Sequence, residues 1–199
     1  MDKIEHTARR GRPSTRNREQ VLETALHAYW QDDRAATSVN AICTLAGVSK
    51  PSLYRDFGSE DGLTTAVLER YRDWVLAPLG ALLTSPTSYT DKLQALIDFA
   101  SEDPQMATGC LFVKMRATRS RFGEQTQATI ASIETQLLHQ YTQFFQAAEQ
   151  SGEWASPMSA EFAAGYLNEQ LRLAADQRAA GKASDLVRSW LSLALSVLR

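Results

Sequence analysis

The sequence predicts an all-α protein, with an N-terminal three-helix head carrying a helix-turn-helix and a larger C-terminal helical bundle. Three observations predict it. Apolar residues recur at the helical period in almost every segment. No alternating strand pattern of useful length occurs. Glycine, proline and hydroxyl residues fall at the breaks between segments, where helix ends use them.

The elements follow in order. "NREQVLETALHAYWQ" sets Val21, Leu22, Ala25, Leu26 and Tyr29 on one stripe. "SVNAICTLAG" puts Val39, Ile42, Cys43 and Ala46 on one face. Thr37 and Ser38 precede it as N-cap candidates, and Gly47 stands just past its last turn. "SKPSLYRDF" opens on Ser49 as a cap with Pro51 in the first turn, where a missing N–H costs little. Its Leu53 and Phe57 face inward. Gly58 and Ser59 close that helix and cap "EDGLTTAVLERYRDWVL", with Leu63, Val67, Tyr71 and Trp74 on one stripe. A turn-rich break is expected over residues 77 to 88. Further helices are expected at roughly 89 to 102, 106 to 120, 124 to 150, 159 to 180 and 183 to 198.

Composition narrows the class. The chain has 199 residues, 44% of them hydrophobic, which is enough for a sizeable core. The net charge of −2 excludes a uniformly basic coat for nucleic acid. The charge is uneven, however. Lys3, Arg9, Arg10, Arg12, Arg16 and Arg18 against Asp2 and Glu5 leave +4 on residues 1 to 18 and −6 on the rest. A basic arm on an acidic body points to an anionic partner at the N-terminus. The expected organisation is an arm over 1–18, a helix-turn-helix domain over 19–62 and a helical body over 63–199.

Cys43 and Cys110 lie outside any CxxC, so no disulfide framework is expected. The charged start excludes a secretory signal, and no apolar run is long enough to span a bilayer. A cytoplasmic setting is expected. His6, His27 and His139 are far apart and form no metal-ligand pattern with Cys or Asp, so neither a metal nor another cofactor is expected. No nucleophile elbow or glycine-rich phosphate loop occurs, and the chain does not read as an enzyme.

The segment "AGVSKPSLYRDFGSEDGL" carries chemistry of its own. A tight turn at Gly47, Val48 and Ser49 joins two short helices, and the second can enter a DNA major groove. Ser49, Ser52 and Tyr54 can donate to phosphate oxygens. Lys50 and Arg55 can neutralise phosphates or read guanine. Arg10 and Arg12, flanking Gly11 ahead of Pro13, can lie in a narrow minor groove.

"TSVNAICTLAGVSKPSLYRDFGSEDGL", residues 37 to 63, resembles the DNA-binding domain of the TetR family of bacterial transcriptional regulators. Val39, Ile42, Ala46, Gly47, Val48, Ser49, Leu53, Tyr54, Phe57 and Leu63 carry the pattern. The resemblance implies a homodimer of helical subunits. It implies binding to an inverted-repeat operator, usually as a repressor, and release by a small-molecule effector in a C-terminal pocket. Carried over by position, the DNA-facing residues are Thr37, Ser38, Asn40, Ser49, Lys50, Pro51, Ser52, Tyr54 and Arg55. Ser38 and Tyr54 are then backbone anchors, and Asn40, Lys50 and Ser52 face bases. Two positions depart from the pattern. Glu60, followed by Asp61, stands where a lysine is common, and Asp56 where a histidine or other donor is common. An ionised carboxylate cannot donate to phosphate. These acids support an alternative reading, a small-molecule-binding or interaction protein of the same fold that has lost DNA binding; the basic arm opposes it.

For the body, Trp74, Phe99, Met106, Cys110, Phe112, Tyr141, Phe144 and Trp154 are candidate pocket residues, core being the competing reading. Cys110 follows Gly109 at a helix start, where the dipole can lower a thiol pKa, so a redox or electrophile sensor stands beside a packed thiol. Arg116, Arg119 and Arg121 either meet an anionic effector or form a solvated face. Phe162, Tyr166, Leu167 and Leu171, with Leu186, Trp190, Leu191, Ala194 and Leu198, are the expected dimer surface, because the last helix is apolar on more than one face.

Overall fold

The computed structural model describes residues 15–32 and 37–199. Every regular element among them is helical. The head is α1 (Thr15–Asp32), α2 (Val39–Ala46) and α3 (Lys50–Phe57). The body is α4 (Glu60–Tyr71), α5 (Ala77–Leu83), α6 (Tyr89–Glu102), α7 (Leu111–Ala117), α8 (Glu124–Ser151), α9 (Ala160–Ala179) and α10 (Ser184–Leu195). The long α8 packs along α9 and against α4, while α10 lies on α6 and α9. The apolar stripes of both halves merge into one continuous core.

Side-chain caps fix the helix starts as the sequence suggests. Ser38, Ser49, Ser59, Ser88 and Ser159 each accept a hydrogen bond from a backbone N–H of the first turn. Gly47 ends α2 at φ 66°, the left-handed conformation that a side chain would strain.

Three expectations about the elements change. The break at 77 to 88 contains a helix, α5, because Pro78 sits in its first turn, where proline is tolerated. The helix expected over 106 to 120 is only α7, with 3-10 turns at Pro104–Met106 and Arg119–Arg121 on either side. Most instructive is a π turn at Arg72–Leu76 joining α4 to α5. The wide turn shifts the helical phase. Leu63, Val67 and Tyr71 are fully buried, but Trp74 is turned outward at 46% exposure, and Val75 and Leu76 face inward instead.

Candidate DNA-binding head and the cavity behind it

The head presents one polar side. Ser49 Oγ accepts from Ser52 N–H at 3.3 Å, which sets the start of α3 and the aim of its first turn. Asn40, Lys50, Pro51 and Tyr54 are exposed around the α2–α3 turn, with Leu53 buried behind. Ser38 Oγ is engaged as the cap of α2, accepting from Ala41 N–H at 3.2 Å. A capping hydroxyl keeps its own proton for a further acceptor. Arg55 Nη2 donates to Ser52 Oγ at 2.8 Å, and its Nε lies 3.4 Å from Asp56 Oδ1. Ser52, Arg55 and Asp56 therefore form one polar chain across α3, and Asp56 is not a bare carboxylate. Thr37 is only 8% exposed, so burial leaves little of it for a partner, against the expectation that it faces DNA. Arg10 and Arg12 lie outside the described residues.

Two joints hold α4 at its ends, and the second also ties it to the head. In the first, Asp61 at the start of α4 closes the N-terminus of α8. Its carboxylate accepts from Gln125 N–H at 3.0 Å, from Thr126 N–H at 3.2 Å and from Thr126 Oγ1 at 2.6 Å. Thr65 Oγ1 lies 3.0 Å from Thr126 Oγ1. Gly123 leaves the space: a Cβ there would stand 2.4 Å from Asp61 Cγ. An acid at a helix N-terminus meets both unpaired N–H groups and the positive end of the dipole. Asp61 is thus spent inside the protein rather than turned toward a phosphate.

In the second joint, Trp30 Nε1 of α1 donates to Gly109 O at 2.8 Å, and Lys114 Nζ of α7 donates to Trp30 O at 2.7 Å. The Trp30 ring packs edge-on to Tyr71, centroids 4.9 Å apart. The Tyr71 hydroxyl is 3.0 Å from Cys110 Sγ. Arg70 of α4 also pairs across to α1, with Glu23 at 2.6 Å and with Glu19.

Behind this second joint lies a narrow cavity of about 70 Å3. Phe99, Met106, Cys110, Phe112 and Tyr141 line it, as the sequence suggests. The other three pocket candidates lie elsewhere. Phe144 stacks on Tyr89 and Trp154 packs on Phe145, so both are core. Trp74 is displaced by the π turn and packs edge-on to Trp30, 6.4 Å away. Sequence reasoning missed Tyr71, Leu76, Leu79, Asn168 and Arg172 in the lining. Arg116 also lines the cavity, paired with Glu134 at 2.5 Å. Arg119 points to solvent. Cys110 is not an activated thiol. Burial pushes it above its ordinary value, which outweighs the hydrogen bonds from Tyr71 and the α7 N-terminus. Burial raises Tyr71 and Tyr141 as well.

Along α9 and α10, Phe162, Leu173, Leu186, Trp190, Leu193 and Val197 leave large apolar side chains exposed. Tyr166 is partly covered, its hydroxyl donating to Ala194 O at 2.8 Å, and Leu171 and Ala194 are half-buried too. Leu167, Leu191 and Leu198 are buried within their own subunit, so they back this face rather than present it.

A capped helix-turn-helix on a helical body with an internal cavity defines a class, the two-part regulators. Comparison with known proteins narrows it. Residues 21–67 match the family described as bacterial regulatory proteins, tetR family. The transcriptional repressor ComR of Escherichia coli K12 is 32% identical over 117 residues, covering 56% of this chain and 55% of ComR. The transcriptional activator FasR of Mycolicibacterium smegmatis is 33% identical over 97 residues, covering 47% of this chain and 44% of FasR. These matches span about half the length of those relatives. Escherichia coli NemR in its reduced form superposes with a TM-score of 0.81 at 20% identity, over 92% of this chain and 97% of NemR. A cysteine-substituted CifR bound to a 26-base-pair operator DNA superposes with a TM-score of 0.76 at 19% identity, over 95% of this chain and 100% of CifR. Residues 21–67 thus carry the sequence pattern of the tetR family of bacterial regulatory proteins, and the described residues share the fold of solved structures named as TetR-family regulators. No helix among the described residues is long and apolar enough to cross a membrane.

Proposed function

We propose that the chain is a ligand-responsive, DNA-binding transcriptional repressor of the bacterial cytoplasm. It binds an inverted-repeat operator as a homodimer through α2 and α3, and a small-molecule effector in the body releases it. Residues 1–18 serve as a basic arm, 19–62 as the DNA-binding domain and 63–199 as the effector and dimer domain. The observation that carries this reading is the exposed group of Asn40, Lys50, Pro51 and Tyr54 held around a doubly capped turn. The fold shared with an operator-bound relative supports it. The engagement of Asp56 with Arg55 weakens one of the two supports for a head disabled by its acids, the exposed Glu60 being the other. The apolar face of α9 and α10 supports the dimer, since a monomer rarely leaves so many large apolar side chains together in water.

A gel shift on DNA selected from a random pool by the full chain tests the reading. The selected site is expected to be an inverted repeat with half-sites about one helical turn apart. Lys50→Ala is expected to weaken binding and to relax the sequence preference at one position of each half-site, the signature of a lost base contact. Leu193→Glu is expected to yield a monomer by light scattering and to lose the shift. Failure to select any DNA at low salt favours the alternative, an interaction protein of this fold.

A further inference from the structure

The cavity holds a polar group with nothing to bind. Tyr141 is 3% exposed and lines the cavity, and its hydroxyl has no hydrogen-bond partner among the described residues. The hydroxyl opens on the cavity space, where a ligand oxygen can accept its proton. Nearby, the Tyr71 hydroxyl and the Cys110 thiol satisfy each other at 3.0 Å. Burial keeps both phenols and the thiol protonated at neutral pH. This pole of the cavity is polar but uncharged.

The rest of the wall is mostly apolar, built from Leu76, Leu79, Phe99, Phe112, Leu137 and Leu171. Charge appears only on the α7 and α9 side, and there it is already matched. Arg116 Nε meets Glu134 at 2.5 Å. Arg172 meets Glu169 at 2.8 Å and Asp176 at 2.7 Å. The Arg172 hydrogen bond in turn holds the Glu169 carboxyl below its usual range. Each guanidinium already faces a carboxylate, so neither sign of ligand charge meets an uncompensated opposite charge here.

We propose that the cavity takes an uncharged, mainly apolar molecule with one oxygen acceptor, which receives the Tyr141 hydroxyl proton in a hydrogen bond. The proposal rests on the reading of the body as an effector domain and names the class of its ligand. Size agrees once the wall is considered. A cavity of about 150 Å3 is enough for benzene, and the closed space is about 70 Å3. Leu79 and Phe99 also line a surface groove of about 220 Å3 beside Trp74 and Pro78. The cavity as it stands is smaller than one ring needs, so the proposal requires Leu79 and Phe99 to move and join the two spaces. Leu79 lies in the helix that follows the π turn, so the entry of ligand bears directly on the end of α4.

Four one-ring probes differ in a single group: acetophenone, ethylbenzene, benzoate and benzylamine. Calorimetry and thermal shift on the full chain without DNA are expected to show acetophenone binding more tightly than ethylbenzene, and the two ions not binding. Tyr141→Phe is expected to weaken acetophenone roughly 2- to 10-fold, the loss of one neutral hydrogen bond, and to leave ethylbenzene unchanged. Phe99→Ala, which opens the shared wall, is expected to tighten both neutral probes, and it keeps the test alive if the Tyr141 variant folds poorly. Tighter binding of benzoate or benzylamine overturns the proposal. So does failure of both neutral probes on the parent and on Phe99→Ala, or an acetophenone affinity indifferent to Tyr141→Phe. Release of DNA is read separately by gel shift. Binding without release counts against the regulatory reading alone and leaves the ligand class standing.

Discussion

The two joints at the ends of α4 are built from opposite materials. At the start of α4, a carboxylate is enclosed by the N-terminus of α8, far from any cavity residue. At the end of α4, an indole, a phenol and a thiol pack together, and the last two of these also line the cavity. The first joint is directional and closed. The second is largely aromatic, held by fewer directional contacts to charge, and borders the cavity behind it. The difference assigns each end of one helix a part: α4 is pinned where it leaves the DNA-binding head and responsive where it meets the ligand side. A ligand can change the equilibrium only by differing in its contacts with two states, and only the second joint offers such contacts.

Substitutions can break this contrast or sharpen it. The largest effect is expected from Trp30→Ala, which empties the aromatic joint and leaves Gly109 O without its indole donor. Urea unfolding is expected to show a loss of about 3–5 kcal/mol, the range for a buried tryptophan. Asp61→Ala should cost about 1–2 kcal/mol, the loss of a good helix cap, by the same measurement. It should also leave acetophenone affinity unchanged, since the joint lies away from the cavity; a changed affinity would show the two joints to be one unit. Thr126→Val removes one hydroxyl from the closed joint and is expected to cost about 1 kcal/mol. The smallest effect is expected from pH. Tyr71 and Cys110 are held protonated above the ordinary 10.0 of a phenol and 9.0 of a thiol. The unfolded chain therefore ionises first, and the stability they carry is complete at neutral pH and falls as pH rises past about 9. Urea midpoints at pH 7 and pH 10 should differ less in Tyr71→Phe than in the parent. An equal or larger difference would remove the second joint from the account.

The head was readable from sequence because its determinants are local. Ser38, Gly47, Ser49, Pro51, Gly58 and Ser59 sit within three residues of the turns they make, so spacing alone carries the geometry. The body was readable as helices and little more. Its cavity depends on which faces meet across long separations: Tyr71, Cys110, Tyr141 and Arg172 come from four helical segments, and no short window contains two of them. Phe144 and Trp154 look no different in sequence from Phe112, yet they fill core while Phe112 lines the cavity. The role of Asp61 was hidden for the same reason. Compared with a family pattern it reads as the acid beside a missing cation, and only the approach of Gly123, about sixty positions later, shows it as a cap.

The π turn at Arg72–Leu76 has a consequence for how the molecule can move. It behaves like a vernier in an otherwise regular screw. One residue corresponds to about 100° of rotation about a helix axis. If the wide turn slides by a residue, the side chains it passes change face in discrete clicks, without the rod being cut. Trp74 standing outward while Val75 and Leu76 stand inward is the setting this structure holds. A gauge of this kind has settings rather than a continuous dial, and that is the property required of a part that must report a ligand as present or absent.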